Sequence, residues 1–250
     1  EQLEDLFEKI MTDEMKELVA FQYQTKETGD FSRYFRLDIQ RSDMEVYEFK
    51  KGTTDWIFFS TPITPQNADP FVNLGDDIDP FKLYQYDSDT NGYKIYPLDI
   101  GEVALQPGQA YFTILEQDVA QVDIGGTINH SSEPLSLENP GWHAIGNPFP
   151  KAVTVSSLKA NDVGFKEAVS QSLIEGTLYT WRIESGEVDR YRIVGVDDQL
   201  LPWRGYWIRT LKAGIKLSFT SPDIPNNYVP SLPDRFIPPM GPAKALASDS

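Results

Sequence analysis

Trp142-His143-Ala144-Ile145-Gly146-Asn147-Pro148-Phe149 decides how this 250-residue chain is read, because Trp56-Ile57-Phe58-Phe59-Ser60-Thr61-Pro62-Ile63 stands 86 residues before it. Three further blocks recur in the same order. Leu83-Tyr84-Gln85-Tyr86 matches Leu178-Tyr179-Thr180-Trp181 at an offset of 95. Tyr93-Lys94-Ile95 matches Tyr191-Arg192-Ile193 at 98. Pro107-Gly108-Gln109-Ala110-Tyr111-Phe112 matches Pro202-Trp203-Arg204-Gly205-Tyr206-Trp207 at 95. A preserved order with a drifting offset is what duplication followed by loop insertion leaves behind.

Each block has a strand's job. The Trp block ends at a proline, which cannot donate to a ladder and so stops it. The Leu-Tyr-x-aromatic block puts two rings on one face, since side chains alternate with period two. Asp87 to Gly92 turns the chain and Tyr93-Lys94-Ile95-Tyr96 returns it as a hairpin. The Pro107 and Pro202 blocks are turns feeding aromatic strands, and Val119–Ile124 and Lys212–Phe219 close each unit. Trp142, with Tyr179 or Trp181 and Tyr206 or Trp207, is expected in the core of the second unit.

Outside the repeat, residues 1–21 read as an amphipathic helix: Leu3, Leu6, Phe7, Ile10, Met11, Met15, Leu18 and Val19 recur at three- and four-residue spacing. Arg33–Ile39 and Met44–Phe49 read as two strands joined through Gln40-Arg41-Ser42-Asp43. From Pro222 to Pro242 seven prolines fall in 21 residues, an extended linker or surface strap. The expected fold is all-β and mainly antiparallel: two tandem sandwich- or barrel-like repeats with one N-terminal α-helix. The divisions are 1–50 for the helix and hairpin, 51–130 and 131–221 for the repeats, and 222–250 for the tail.

Composition narrows the function. Hydrophobic residues make up 40%, enough for a core, and the 12 Tyr, 14 Phe and 5 Trp suit strands. A net charge of −16 makes nucleic acid and anionic membrane surfaces poor partners. The chain has no cysteine, so disulfides, thiolate metal sites and cysteine nucleophiles are excluded. No apolar run approaches the roughly 20 residues of a membrane-spanning helix, so no membrane insertion is expected. No signal peptide is visible at the acidic start, which points to a removed leader or to a start within a longer protein.

Gly141-Trp142-His143-Ala144-Ile145-Gly146-Asn147-Pro148-Phe149-Pro150, Leu178-Tyr179-Thr180-Trp181 and Leu201-Pro202-Trp203-Arg204-Gly205-Tyr206-Trp207 together resemble a module of large secreted proteins of Bacteroidota and related bacteria. Those modules show a "GWNLIGNPFP" strand, an "LYxWD" hairpin and a "PGQGFW" strand, and they often lie in proteins exported by the type IX system. His143-Ala144 stands for the usual Asn-Leu, and Ser60-Thr61-Pro62 for Gly-Asn-Pro in the first copy. The resemblance covers about residues 55–219. It implies an extracellular or cell-surface location, a non-catalytic accessory role and no active site.

The residues themselves offer little chemistry. His130 and His143 are the only histidines, neither has a second histidine at ligand spacing, and no Gly-x-Ser-x-Gly elbow is present. No pair among the acids is singled out for glycoside hydrolysis, and there is no phosphate-cradling loop. Asp87-Ser88-Asp89-Thr90-Asn91-Gly92 has the D-x-D-x-N-G spacing of half a calcium loop, with Asp87, Asp89 and Asn91 as oxygen donors. Leu98 stands where such a loop needs glutamate, Ile183-Glu184-Ser185-Gly186 in the second copy lacks the pattern, and the same residues suit a plain hairpin turn. No other cofactor is implied.

Three functions follow. The first is a structural or adhesive module of a secreted or surface protein, touching neighbouring domains or other subunits through its helix and proline-rich tail. The second is a carbohydrate-binding module, with Trp203 exposed at a turn as its ring platform and polysaccharide as its partner. A hydrolase is the third and least supported.

Overall fold

The computed structural model describes residues 44–52, 54–182, 190–226 and 228. The sequence-predicted helix over 1–21, the strand over 33–39, the Ile183–Gly186 turn and most of the proline-rich tail lie outside the described residues. Within them the protein is mostly β, in several antiparallel sheets, with very little helix.

The N-terminal half is built on a four-stranded sheet. Its strands are β2 (Trp56–Ser60), β4 (Leu83–Asp87), β5 (Gly92–Tyr96) and β6 (Ala110–Ile114), in the order β2-β6-β4-β5. Against one face lies a sheet of β1 (Met44–Lys50), β7 (Val119–Ile128) and β3 (Ile63–Pro65), in the order β1-β7-β3. Phe49, Ile63, Val122 and Ile124 from this layer meet Ile57, Phe59, Leu83 and Tyr111 from the other in one buried cluster. Helix α1 (Pro70–Leu74) sits beside β7, with Pro70 at its first turn and Asp69 accepting the Phe71 N–H at 2.8 Å.

The C-terminal half repeats the plan. Its four-stranded sheet has β9 (Gly141–Gly146), β13 (Leu178–Arg182), β14 (Arg190–Val194) and β16 (Gly205–Thr210), in the order β9-β16-β13-β14. The covering sheet consists of β8 (Leu135–Leu137), β11 (Lys159–Ala160), β12 (Val163–Gly164) and β17 (Ile215–Ser218), with β17 between β11 and β8. Helix α2 (Phe165–Ser170) and the small β10–β15 pair (Val153–Thr154 and Gln199–Leu200) complete this half. Its core joins Ile145, Phe149, Leu178, Tyr206 and Ile208 to Leu137, Ala160 and Leu217.

The two four-stranded sheets agree residue by residue in register. Phe59 faces Tyr111 on the neighbouring strand, and Ile145 faces Tyr206. Trp56 faces Ile114, and Trp142 faces Arg209. Tyr84 pairs with Phe112, and Tyr179 with Trp207. Tyr86 pairs with Tyr93, and Trp181 with Tyr191. All five pairings of β2 with β6 and all five of β4 with β5 map onto the second sheet by the offsets of 86, 95 and 98 already present in the sequence, and the central pairing of β4 with β6 does so too. A slip of one residue would turn each side chain to the other face, so agreement across three strand interfaces constrains both faces at once.

Local chemistry repeats as well. The Tyr111 hydroxyl accepts the Gln106 N–H at 2.9 Å, and the Tyr206 hydroxyl accepts the Leu201 N–H at 2.7 Å. Each tyrosine thereby pins the residue before the proline of its own turn. Tyr111 also donates to the Ala104 carbonyl at 2.6 Å, and complete burial pushes its phenol far above the usual range. At the ends of β2 and β9, buried Thr61 and Asn147 hold the bend. Thr61 Oγ1 donates to the Ile63 carbonyl at 3.1 Å, while Asn147 accepts the Phe149 N–H at 3.0 Å and donates to Lys151 and Leu200 carbonyls. The Asn-Pro-Phe motif is thus a device for turning the chain.

The second core runs past the expected boundary at 221. Ile224 is buried in it, Tyr228 packs against it, and the Lys151 ammonium reaches the Asp223 carbonyl at 2.7 Å. Phe49 likewise belongs to the first core, ahead of the expected boundary at 51.

Candidate functional site

The face of each four-stranded sheet that is turned away from its own covering layer is aromatic, and the two faces meet. Phe58, Ala110, Phe112 and Trp207 form the buried centre, with Tyr84, Tyr86, Ala144, Tyr179 and Trp181 packed around them. Phe58 stacks on Trp207 at 5.4 Å and on Phe112 at 4.2 Å, while Tyr86 meets the Trp207 ring edge-on at 4.9 Å. The two faces present equivalent positions to each other: Phe58 corresponds to Ala144, Phe112 to Trp207, and Tyr86 to Trp181. At one end Ser60 touches its own counterpart, Gly146. A Cβ on Gly146 would lie 2.0 Å from that of Ser60, so this position has room for a single side chain. Ser60 Oγ donates to the Arg204 carbonyl at 3.0 Å, and Gly146 N–H to the Gly108 carbonyl at 2.8 Å.

Three expected placements change. Neither Tyr179 nor Trp181 enters the core of the second unit: both are partly buried on the face that meets the other half. Trp142 is 37% exposed, as is its counterpart Trp56. Both stand near the rim of the aromatic face, Trp142 against Tyr179 at 5.7 Å and beneath the Arg209 guanidinium at 5.9 Å, and Trp56 against Tyr84 at 5.0 Å. The core position is taken by the next residue, Ile57 in β2 and His143 in β9, because alternation turns neighbours to opposite faces. Trp203 was expected as an exposed ring. It is 4% exposed and packs in the N-terminal core, stacked on Tyr47 and edge-on to Phe49. Its φ is +63°, the left-handed conformation that its counterpart Gly108 adopts at +83°. It therefore offers no platform to a ligand.

The Asp87–Gly92 segment is the turn between β4 and β5. Asp87 Oδ1 accepts the Asp89 N–H at 2.9 Å, Asn91 accepts the Tyr86 hydroxyl at 2.6 Å, and Asp89 accepts the Asn139 side-chain amide. Each of the three expected calcium donors therefore has a partner within the turn or across to Asn139, and Asn91 takes the positive φ of a hairpin turn. Among the described residues no three His, Cys, Asp or Glu side chains are grouped closely enough to hold a metal ion.

A cleft of about 720 Å³ opens where the halves and their connector meet. Gln85 and Tyr86 of β4, Gln109 of the turn that leads into β6, Ser132 and Glu133 of the connector, and His143 of β9 contribute to its lining. Gln85 Nε2 donates to Gln109 Oε1 at 2.6 Å, while Gln85 Oε1 and Ser132 Oγ are shielded from solvent and have no hydrogen-bond partner among the described residues. The connector is tied down by Asn129, which accepts from Thr64 at 2.7 Å and donates to the Pro148 carbonyl at 2.8 Å. His143 Nε2 lies 2.9 Å from the Asn139 carbonyl and 3.2 Å from Thr210 Oγ1, and burial lowers its pKa from the usual 6.5. Sequence reasoning missed this cleft. A signal was present in the departures between copies: Gln85 stands where the second copy has Thr180, and Gln109 where it has Arg204.

Comparison with protein-family models, with curated proteins and with solved structures found no match.

Proposed function

We propose that the chain is two copies of one β-sandwich unit locked back to back, serving as a rigid, non-catalytic structural or adhesive module of a secreted or cell-surface protein. The observation that carries this is the meeting of counterpart faces through Phe58, Phe112 and Trp207. Two identical units would associate this way as a symmetric dimer, in which residue i touches j and j touches i. Duplication in one chain makes the contact permanent and lets the sides diverge, as Ser60 and Gly146 have. Trp203 adds a second lock, since it leaves its own half to fill the core of the other. A protein that spends its aromatic faces in this way gains stiffness.

Partners are neighbouring domains or other subunits, contacted by the two ends of the chain; nucleic acid is not among them. The test is mechanical and associative. Pulled from its ends, the module should unfold in one event with a single contour-length step. Deleting residues 1–21 and 229–250 should leave that step in place and abolish any self-association seen by sedimentation. Two separable unfolding events, or unchanged association after the deletions, would refute the locked module and the role of the ends, respectively.

A further inference from the structure

We propose that the cleft between the halves is a binding site for a neutral polyhydroxylated ligand, a short stretch of saccharide. The proposal is independent of the structural role above. Its volume, about 720 Å³, lies inside the roughly 300–1,000 Å³ of small-molecule sites. The chemistry of the lining selects the ligand. Among the described residues that line it, carboxamides and hydroxyls dominate, Glu133 is the one carboxylate and there is no Lys or Arg, so none of them compensates a phosphate, sulfate or uronate. The Tyr86 ring supplies the apolar surface on which a sugar's C–H face can rest.

Two unsatisfied acceptors argue for an occupant. A shielded polar atom without a partner is costly, and a ligand hydroxyl that donates to it removes the cost. Gln85 Oε1 and Ser132 Oγ belong to two residues of the lining, one on the sheet and one on the connector. The last torsion of a glutamine is soft, so a small rotation can present Oε1 to the cleft. Gln109 holds the Gln85 amide by its nitrogen, which leaves the oxygen for the ligand. Neither glutamine is shared with the second copy, so the first half contributes the specificity and the connector closes over it.

The full chain should be screened against an array of neutral oligosaccharides (glucans, mannans, xylans and galactans), beside sulfated and uronate-containing counterparts, with calorimetry on each hit. The expected result is saturable one-site binding of neutral members only. Gln85→Leu and Ser132→Ala should each weaken it about tenfold with unchanged melting, the loss of one hydrogen bond to a shielded acceptor. If Gln85→Leu disturbs the sheet, Ser132→Ala on the connector decides. No saturable binding of any neutral member, preference for the charged ones, or full affinity in the deciding variant would overturn the proposal.

Discussion

The indole of Trp203 stacks on the Tyr47 ring at 5.5 Å with an interplanar angle of 12°, joining a turn of the C-terminal half to the first described strand of the N-terminal half. Trp203 holds an unfavourable positive φ in order to do so, and its Nε1 is buried without a partner among the described residues. Packing must outweigh both costs. Trp203→Ala should destabilise the chain by about 3–5 kcal/mol, as for other large buried rings. Combined with Tyr47→Ala in a double-mutant cycle, it should show coupling rather than additivity. Chemical denaturation of the four proteins measures this, and additive losses would mean that the stack contributes nothing specific.

The tyrosine clasps give a finer comparison. Tyr111→Phe removes the hydroxyl that serves Gln106 N–H and Ala104 carbonyl, and should cost about 1–3 kcal/mol. Trp142→Ala deletes a larger side chain but a half-exposed one, and should cost clearly less than Trp207→Ala, whose ring is central to the aromatic interface. Equal losses for the two tryptophans in a urea series would contradict the placement of Trp142 at the rim.

His143 provides a pH signature. Its folded pKa is lowered by burial, so the unfolded chain binds the proton more readily. The stability that depends on neutral His143 is therefore present in full above its unfolded pKa of about 6.5 and is lost as pH falls through the lower folded value. Thr210, Asn139 and Asp89 are the groups that act on it. His143→Ile, which installs the residue that the first copy has at this position, should flatten the stability curve on the acidic side relative to the parent. Parallel curves for parent and variant would show that His143 does not titrate on unfolding.

The Asp87–Gly92 turn predicts indifference to calcium. Its donors already hold Asp89 N–H, the Tyr86 hydroxyl and the Asn139 amide. Calorimetric titration should register no calcium binding. Binding that disappears in Asp89→Ala would instead support the metal reading of the spacing.

Much of the fold was legible because the repeated blocks carry the strands. The four matched segments became four counterpart strand pairs, and β7 and β17 fell where Val119–Ile124 and Lys212–Phe219 predicted a closing strand. Which ring faces which layer was not legible. Trp56-Ile57-Phe58-Phe59 is apolar at every position because both faces of its sheet are covered, one by β7 and its neighbours and the other by the opposite half. Alternation marks the buried face only when the second face is wet. Trp203 was misplaced for a related reason: a ring at a turn reads as exposed unless the partner that receives it is known. The short strands β8, β10, β11, β12 and β15 have two or three residues each, too few for a period to register.

The duplication is tested most directly at Ser60 and Gly146, counterparts that meet each other and leave space for one side chain. Gly146→Ser alone places a Cβ on that of Ser60 and should be strongly destabilising, by the several kcal/mol expected of a backbone-level clash in a packed interior. Adding Ser60→Gly moves the hydroxyl to the other side of the symmetric contact, where the Gln109 carbonyl stands as the counterpart of the Arg204 carbonyl that Ser60 now uses. Thermal unfolding of the exchanged pair should recover most of the loss. A double variant no more stable than Gly146→Ser alone would contradict two copies of one unit meeting through equivalent faces.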